Sequence, residues 1–82
     1  MIFTAHITIM PLTELLDPQG KAVNESLHRL QLNAIQNVRI GKQITLTIEA
    51  NSKEEANEIA DIACKKMLYN AVMENYTIVI SE

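Results

Sequence analysis

The chain has 82 residues, 48% of them hydrophobic, with seven Lys and Arg against ten Asp and Glu, a net charge of −3 and an isoelectric point near 5.3. One small domain of this length buries only about 60 to 65% of the surface its open chain exposes and is marginal alone, while Cys64, the one cysteine, excludes an internal disulfide and a thiol pair for zinc. The acidic balance opposes an electrostatic grip on nucleic acid or anionic lipid, and one Phe with two Tyr makes no stacking platform for single-stranded RNA.

The first residues carry no basic segment followed by an apolar core, and no apolar run approaches the roughly 20 residues that cross a bilayer. The expectation is therefore a soluble, cytoplasmic domain stabilised by a partner chain. From Ile2 to Met10 the residues alternate, with Phe3, Ala5, Ile7 and Ile9 on one face and Thr4, His6 and Thr8 on the other, the pattern of a half-buried strand. Pro11 ends it, and Pro11 to Leu16 reads as a loop.

Helix chemistry begins at Asp17-Pro18-Gln19-Gly20. Asp17 suits the N-cap, where a carboxylate accepts from free N–H groups and meets the positive end of the helix dipole. Pro18 falls at N1, where its missing N–H costs nothing. Gly20 sacrifices roughly 0.5 to 1 kcal/mol of propensity relative to alanine, so something approaches the backbone there, either another part of the fold or a partner. The helix is expected to reach about Gln31, laying Val23, Leu27 and Leu30 on the sheet, with Glu25 and Arg29 paired outside.

A second strand is expected over Ile35 to Ile40, a tight reversal at Gly41-Lys42, and a third strand from Gln43 to Ala50 in which Ile44, Leu46 and Ile48 alternate with Thr45, Thr47 and Glu49. Ser52-Lys53-Glu54-Glu55 reads as a capping box. The helix it opens repeats Ala56, Ile59, Ala60, Ala63 and Met67 down to about Leu68, and Tyr76 to Ile80 forms the last strand. The order β-α-β-β-α-β predicts one α+β domain spanning residues 1–82, with a ferredoxin-like antiparallel sheet and two helices on one face. The other face, with Thr4, His6, Thr8, Arg39, Thr45, Thr47, Thr77 and Val79, is either solvated or buried against a second subunit.

Reactive groups are few. His6 and His28 have no second ligand at metal spacing, Cys64 sits near an apolar stripe without a His and carboxylate beside it, and Glu54, Glu55, Glu58 and Asp61 complement the dipole of the second helix. No nucleophile elbow, P-loop or dinucleotide fingerprint is present. The residues alone describe a non-catalytic module.

Four blocks carry a resemblance: Leu16-Asp17-Pro18-Gln19-Gly20-Lys21-Ala22-Val23; Leu27-His28-Arg29-Leu30; Asn37-Val38-Arg39-Ile40-Gly41-Lys42; and Cys64-Lys65-Lys66-Met67-Leu68-Tyr69-Asn70 with Val72-Met73-Glu74-Asn75-Tyr76. Together they resemble the PurS family, the small subunit of phosphoribosylformylglycinamidine synthase, over nearly the whole chain. The family often has Pro or Thr after the Asn70 position, where this chain has Ala71, and Pro11 to Leu15 is idiosyncratic.

The resemblance implies a place in purine biosynthesis. A glutaminase subunit releases ammonia, and a large subunit that uses ATP and magnesium converts formylglycinamide ribonucleotide into the amidine. The small subunit is similar to an adaptor: a homodimer, or a pair of dimers, that joins the other two so that ammonia passes between them, with no cofactor, metal or catalytic residue of its own and no nucleic-acid or membrane partner. Candidate partner contacts are Asp17, Pro18, Gln19 and Gly20 before the first helix, and Arg39 and Lys42 around the Gly41 reversal. The alternative is an ACT-like module binding a small effector near the loop before the first helix.

Overall fold

The computed structural model describes residues 1–13 and 15–82; Glu14, within the loop expected from Pro11 to Leu16, lies outside the described residues. The elements are β1 (Ile2–Pro11), α1 (Pro18–Arg29), β2 (Lys42–Glu49), α2 (Lys53–Ala63), a π-helical turn (Cys64–Leu68) and β3 (Glu74–Ser81). The strands form one antiparallel sheet in the order β2-β1-β3. Thr4 stands opposite Thr47 and Ser81, and Ile7 opposite Ile44 and Ile78. The α+β plan, with β1 between the strands that follow the two helices, is thus the one the sequence pattern predicts.

The alternation in β1 decides where the core lies. Phe3, Ala5, Ile7 and Ile9 are buried to 2% exposure or less, joined by Ile48 and Ile80 from the flanking strands. Burying each of the large side chains is worth roughly 1.5 to 3 kcal/mol. From the other side come Ala56 and Ala60 on α2 and Cys64 at the turn that continues it, all fully buried and four residues apart, so the helix presents only small side chains and settles close to the strands. Ser52 caps α2 by accepting from the Glu55 N–H at 3.1 Å. The reciprocal half of the expected box differs, for the Glu55 carboxylate meets the Asn51 side-chain amide at 3.4 Å instead.

At Cys64 the ladder widens to a π turn, and the Tyr69 N–H donates to the Cys64 carbonyl at 3.3 Å. Adding a residue to the turn shifts the phase of everything beyond it. Met67, expected on the apolar stripe, is 85% exposed, whereas Leu68 and Tyr69 pack on the core. Ile59, also expected on the stripe, is exposed beside its buried neighbour Ala60.

Two further expectations are corrected. Ile35 to Ile40 joins no strand, and α1 does not lie on the sheet. The cause is shared and local. The Asp17 carboxylate accepts from the Gly20 N–H through Oδ1 and from the Ile40 N–H through Oδ2, both at 2.9 Å. Gly20, the one buried residue of α1, lies so close to the Val38 carbonyl that a Cβ on it would collide. The Ile40 N–H, which a hairpin strand would offer to the sheet, is therefore engaged with the start of α1, and the Val38 carbonyl is packed beside it. Arg39 donates to the Pro11 carbonyl and so leaves the open sheet face where it was expected. The helix stripe stays largely exposed, with Val23 37% and Leu30 69% exposed and Leu27 half-buried. Leu30 caps the C-terminus, and Gln31 takes φ 71° in the left-handed region as the chain turns away. The molecule is long and thin, 50 × 26 × 13 Å.

The close approach at Gly20 is directly testable. Gly20→Val is expected to destabilise the fold by about 1 to 3 kcal/mol, as read from urea unfolding, and Asp17→Asn, which keeps the N-cap but sets an amide NH2 against the Ile40 N–H, is expected to cost about 1 to 3 kcal/mol as well. Gly20→Val with the stability of the parent would refute the tight packing on Val38.

Candidate partner-contact site

The residues singled out before α1 and around Gly41 come from distant parts of the chain, and the fold brings them to one end of the sheet. Asp17, Gln19, Ile40, Gly41 and Lys42 line a cavity of about 300 Å³ that reaches Ile9, Pro11 and Glu74. Their roles separate. Asp17 and Gly20 are used inside the chain, Arg39 is half-buried on the Pro11 carbonyl, and Pro18, Gln19 and Lys42 remain exposed. Gly41 passes close under the Ile9 carbonyl and the Met10 sulfur, which fixes the entry to β2 and with it the place of Lys42.

The sequence reading missed an apolar group at this end. Leu15, Leu16 and Met73 are exposed to 37%, 79% and 53%, and with Pro11, Lys42, Asn70 and Glu74 they line a neighbouring cavity of about 340 Å³. The turn that presents Met73 is built by Asn70. Its Oδ1 accepts from the Val72 N–H at 3.0 Å, its carbonyl accepts from the Met73 and Glu74 N–H groups, and its own N–H donates to Glu74 Oε1 at 2.9 Å. The Leu12 N–H then donates to the Met73 carbonyl at 2.8 Å, tying the loop after β1 to the turn before β3. A signal existed in the sequence: Val72 and Met73 are apolar residues in a turn, with no element of their own to cover.

A third cavity, of about 230 Å³, lies on the flank of α1 and is lined by Thr13, Leu15, Leu16, Asp17, Lys21, Asn24, Asn37, Val38 and Arg39. Its electrostatics are set at Asp17. The Gly20 N–H, then the Ile40 N–H, and to a smaller degree the Arg39 charge, hold that carboxyl below its ordinary value of 3.8.

Other candidates have structural partners. His6 Nε2 lies 3.1 Å from Ser81 Oγ on the open sheet face, and the His28 ring donates to the Ile35 carbonyl at 2.6 Å. Cys64 is fully buried, and burial pushes its thiol pKa up, so it belongs to the core as its place in the sequence suggested. Asp61 accepts from the Tyr76 hydroxyl and pairs with Lys65 at 2.9 Å, which clips α2 to β3. Tyr76 also meets Tyr69 edge-on at 4.6 Å. Among the described residues no three His, Cys, Asp or Glu side chains converge as metal ligands, and no helix is long and apolar enough to cross a membrane.

Residues 4–82 match the family profile of PurS, phosphoribosylformylglycinamidine (FGAM) synthase. The chain belongs to the PurS family. It is 43% identical over 67 residues to the phosphoribosylformylglycinamidine synthase subunit PurS of Bacillus subtilis, covering 82% of this chain and 79% of that one. It superposes on the crystal structure of the PurS subunit from Thermotoga maritima with a TM-score of 0.91 at 31% identity, over 99% of this chain and 93% of the other. A structure of PurLQS from T. maritima contains a chain that matches equally well, with a TM-score of 0.91, 31% identity and 99% of both chains covered. In this PurS chain the residues of the first and third motif blocks thus have a physical relation: Asp17 and Gly20 receive Val38 and Ile40.

Two titrations check this geometry. A carboxyl lowered by folding stabilises the native state above its unfolded value, and that contribution is lost as pH falls through the lowered native value. Parent stability is therefore expected to fall more steeply below about pH 4 than that of Asp17→Ala. Tyr76 runs the other way. Its hydrogen bond to Asp61, then burial, push its pKa up to about 12 from 10.0, so its contribution is complete below pH 10 and lost as pH rises toward 12. Absorbance titration is expected to show a late phenolate step in the parent that Tyr76→Phe removes.

Proposed function

We propose that this PurS chain is the non-catalytic adaptor of phosphoribosylformylglycinamidine synthase, a cytoplasmic complex of purine biosynthesis, joining the glutaminase subunit to the ATP-dependent synthase subunit so that ammonia passes between them. The observation that carries the reading is the end of the sheet where Pro18, Gln19 and Lys42 face outward beside exposed Leu16 and Met73. An apolar centre with a charged rim suits docking of a protein surface, the apolar part giving affinity and the charges orientation and on-rate. The chain acts as a homodimer. Among the described residues two of its apolar surfaces have incomplete intrachain cover: the α1 stripe, and the β2 side of the core, where Ile44 and Leu46 are only half-buried. No cofactor belongs to this chain; ATP and magnesium belong to the synthase partner.

One observation favours the second reading, a small-molecule sensor of ACT-like type. The cavity flanking α1 is polar and offers Lys21, Asn24 and Asn37 to a ligand. Titration of purine nucleotides and amino acids against the isolated protein separates the readings, because an adaptor gives no tight saturable binding.

Omitting the chain from a reconstituted complex is expected to abolish glutamine-dependent amidine formation while activity with high external ammonium continues. Lys42→Glu is the sharper probe, since Arg39 is held within the fold. It is expected to lower glutamine-dependent activity on the order of tenfold at limiting subunit concentration, leaving ammonium-dependent activity near the parent's. Equal loss of both activities would mean that the chain supports the synthase itself, and no loss of either would remove Lys42 from the contact surface.

A further inference from the structure

The polar cavity on the flank of α1 and the apolar cavity at the sheet end share a wall. Leu15 and Leu16 line both and are exposed, so they form a ridge with Met73 and Lys42 on one side and Lys21, Asn24 and Asn37 on the other. The surface at the sheet end therefore continues around this ridge onto the helix. Its charge runs against that of the chain. The whole carries −3, whereas the cavities at this end are bordered by Lys21, Arg39 and Lys42 against Asp17 and Glu74. Both carboxylates are already committed, Asp17 to the Gly20 and Ile40 N–H groups and Glu74 to the Asn70 N–H, and Arg39 donates to the Pro11 carbonyl. Lys21 and Lys42 are exposed, and among the described residues neither ammonium has an ion pair or hydrogen bond. Two free cations thus flank an apolar ridge, a pattern complementary to an anionic protein segment.

The helix side adds an independent demand. Gly20, Asn24 and His28 fall four residues apart on the α1 face turned toward residues 35–38. Gly20 meets the Val38 carbonyl, and His28 donates to the Ile35 carbonyl. Asn24, between them, makes no such bond. Its Oδ1 is the one buried side-chain polar atom among the described residues without a hydrogen-bond partner, and Asn24 lines the flank cavity. Buried acceptors are normally paired, so this wall still wants a donor.

We propose that the flank of α1 is the second half of the docking surface, and that its occupant is an acidic loop of a partner subunit. The loop straddles Leu15 and Leu16, sets an apolar side chain toward Met73 and carboxylates toward Lys42 and Lys21, and donates a hydrogen bond to Asn24 as that side chain turns into the cavity. This inference rests on the adaptor reading and adds the partner's chemistry. A small anion fits less well: it would meet Lys21 but leave Leu16 and Lys42 bare, whereas a polypeptide loop covers both cavities at once and excludes water from the two ion pairs.

The test titrates the full chain against purified glutaminase and synthase subunits, with circular dichroism reporting that each variant is folded. Lys21→Glu and Lys42→Glu are each expected to weaken the complex about tenfold, and the double change about a hundredfold. Added salt is expected to weaken the parent complex and to have less effect on the double variant. Lys53→Glu makes the same charge change at the start of α2, which follows the opposite end of β2, and is expected to leave affinity unchanged. Asn24→Leu, close in shape, removes an acceptor that has no partner in the free chain. It is therefore expected to keep the parent's unfolding midpoint in urea and yet to weaken the complex several-fold, whereas a purely structural Asn24 would move stability and leave affinity alone. A parent that forms no complex with either subunit would overturn the adaptor reading itself. A parent complex that Lys21→Glu leaves intact, or that Lys53→Glu weakens as much, would overturn this surface alone. So would saturable binding of ADP or glutamine to the free chain that Lys21→Glu abolishes, since the flank would then belong to a small molecule.

Discussion

The carboxylate of Asp17 is the point from which the rest of the architecture follows. One oxygen caps the first turn of α1 and the other holds the Ile40 backbone N–H, so a single side chain joins a helix start to a segment more than twenty residues later. Capping alone would be satisfied by Ser, Thr or Asn. A carboxylate has two oxygens, each free to accept from a separate backbone donor, and that capacity lets the join be made without a disulfide or metal. Gly20 completes the arrangement by letting the Val38 carbonyl approach the helix backbone.

That join was legible in part. The sequence marks Asp17 as a cap, Pro18 as N1 and Gly20 as a place of close approach, and the structure bears out all three. What approached was not legible, because Ile35 to Ile40 has the composition of a strand and nothing local reports that Ile40 donates elsewhere. The same limit applied to α2. Its cap and its Ala56 and Ala60 positions follow from helical spacing, but a π turn leaves no simple mark in hydrophobic periodicity beyond the phase slip that exposes Met67 and turns Leu68 onto the core. Alternation in β1, β2 and β3 was the most reliable signal, since each strand has one covered and one open face.

At the candidate contact site, sequence and structure contributed different halves. Helix-start chemistry pointed to Asp17 through Gly20, and the charges flanking the Gly41 reversal pointed to Arg39 and Lys42; folding gathers these positions at one end of the sheet. Only the three-dimensional arrangement separates the outward residues Pro18, Gln19 and Lys42 from those already used within the chain. It also adds Leu16 and Met73, which are distant in sequence from each other and become neighbours because the Leu12 N–H meets the Met73 carbonyl.

The row of small residues beneath α2 has a consequence for how this core can vary. Ala56, Ala60 and Cys64 lie against the larger Phe3, Ile7 and Ile9, so the spacing between layers is set by the sum of one small and one large side chain. Close-packed interiors have little slack, and a methylene added on the helix side must be matched by one removed from the strand. The two rows therefore form a single steric unit: drift on one side is constrained by the other, and Tyr76 on Asp61 resists any lift of the helix that would relax the constraint.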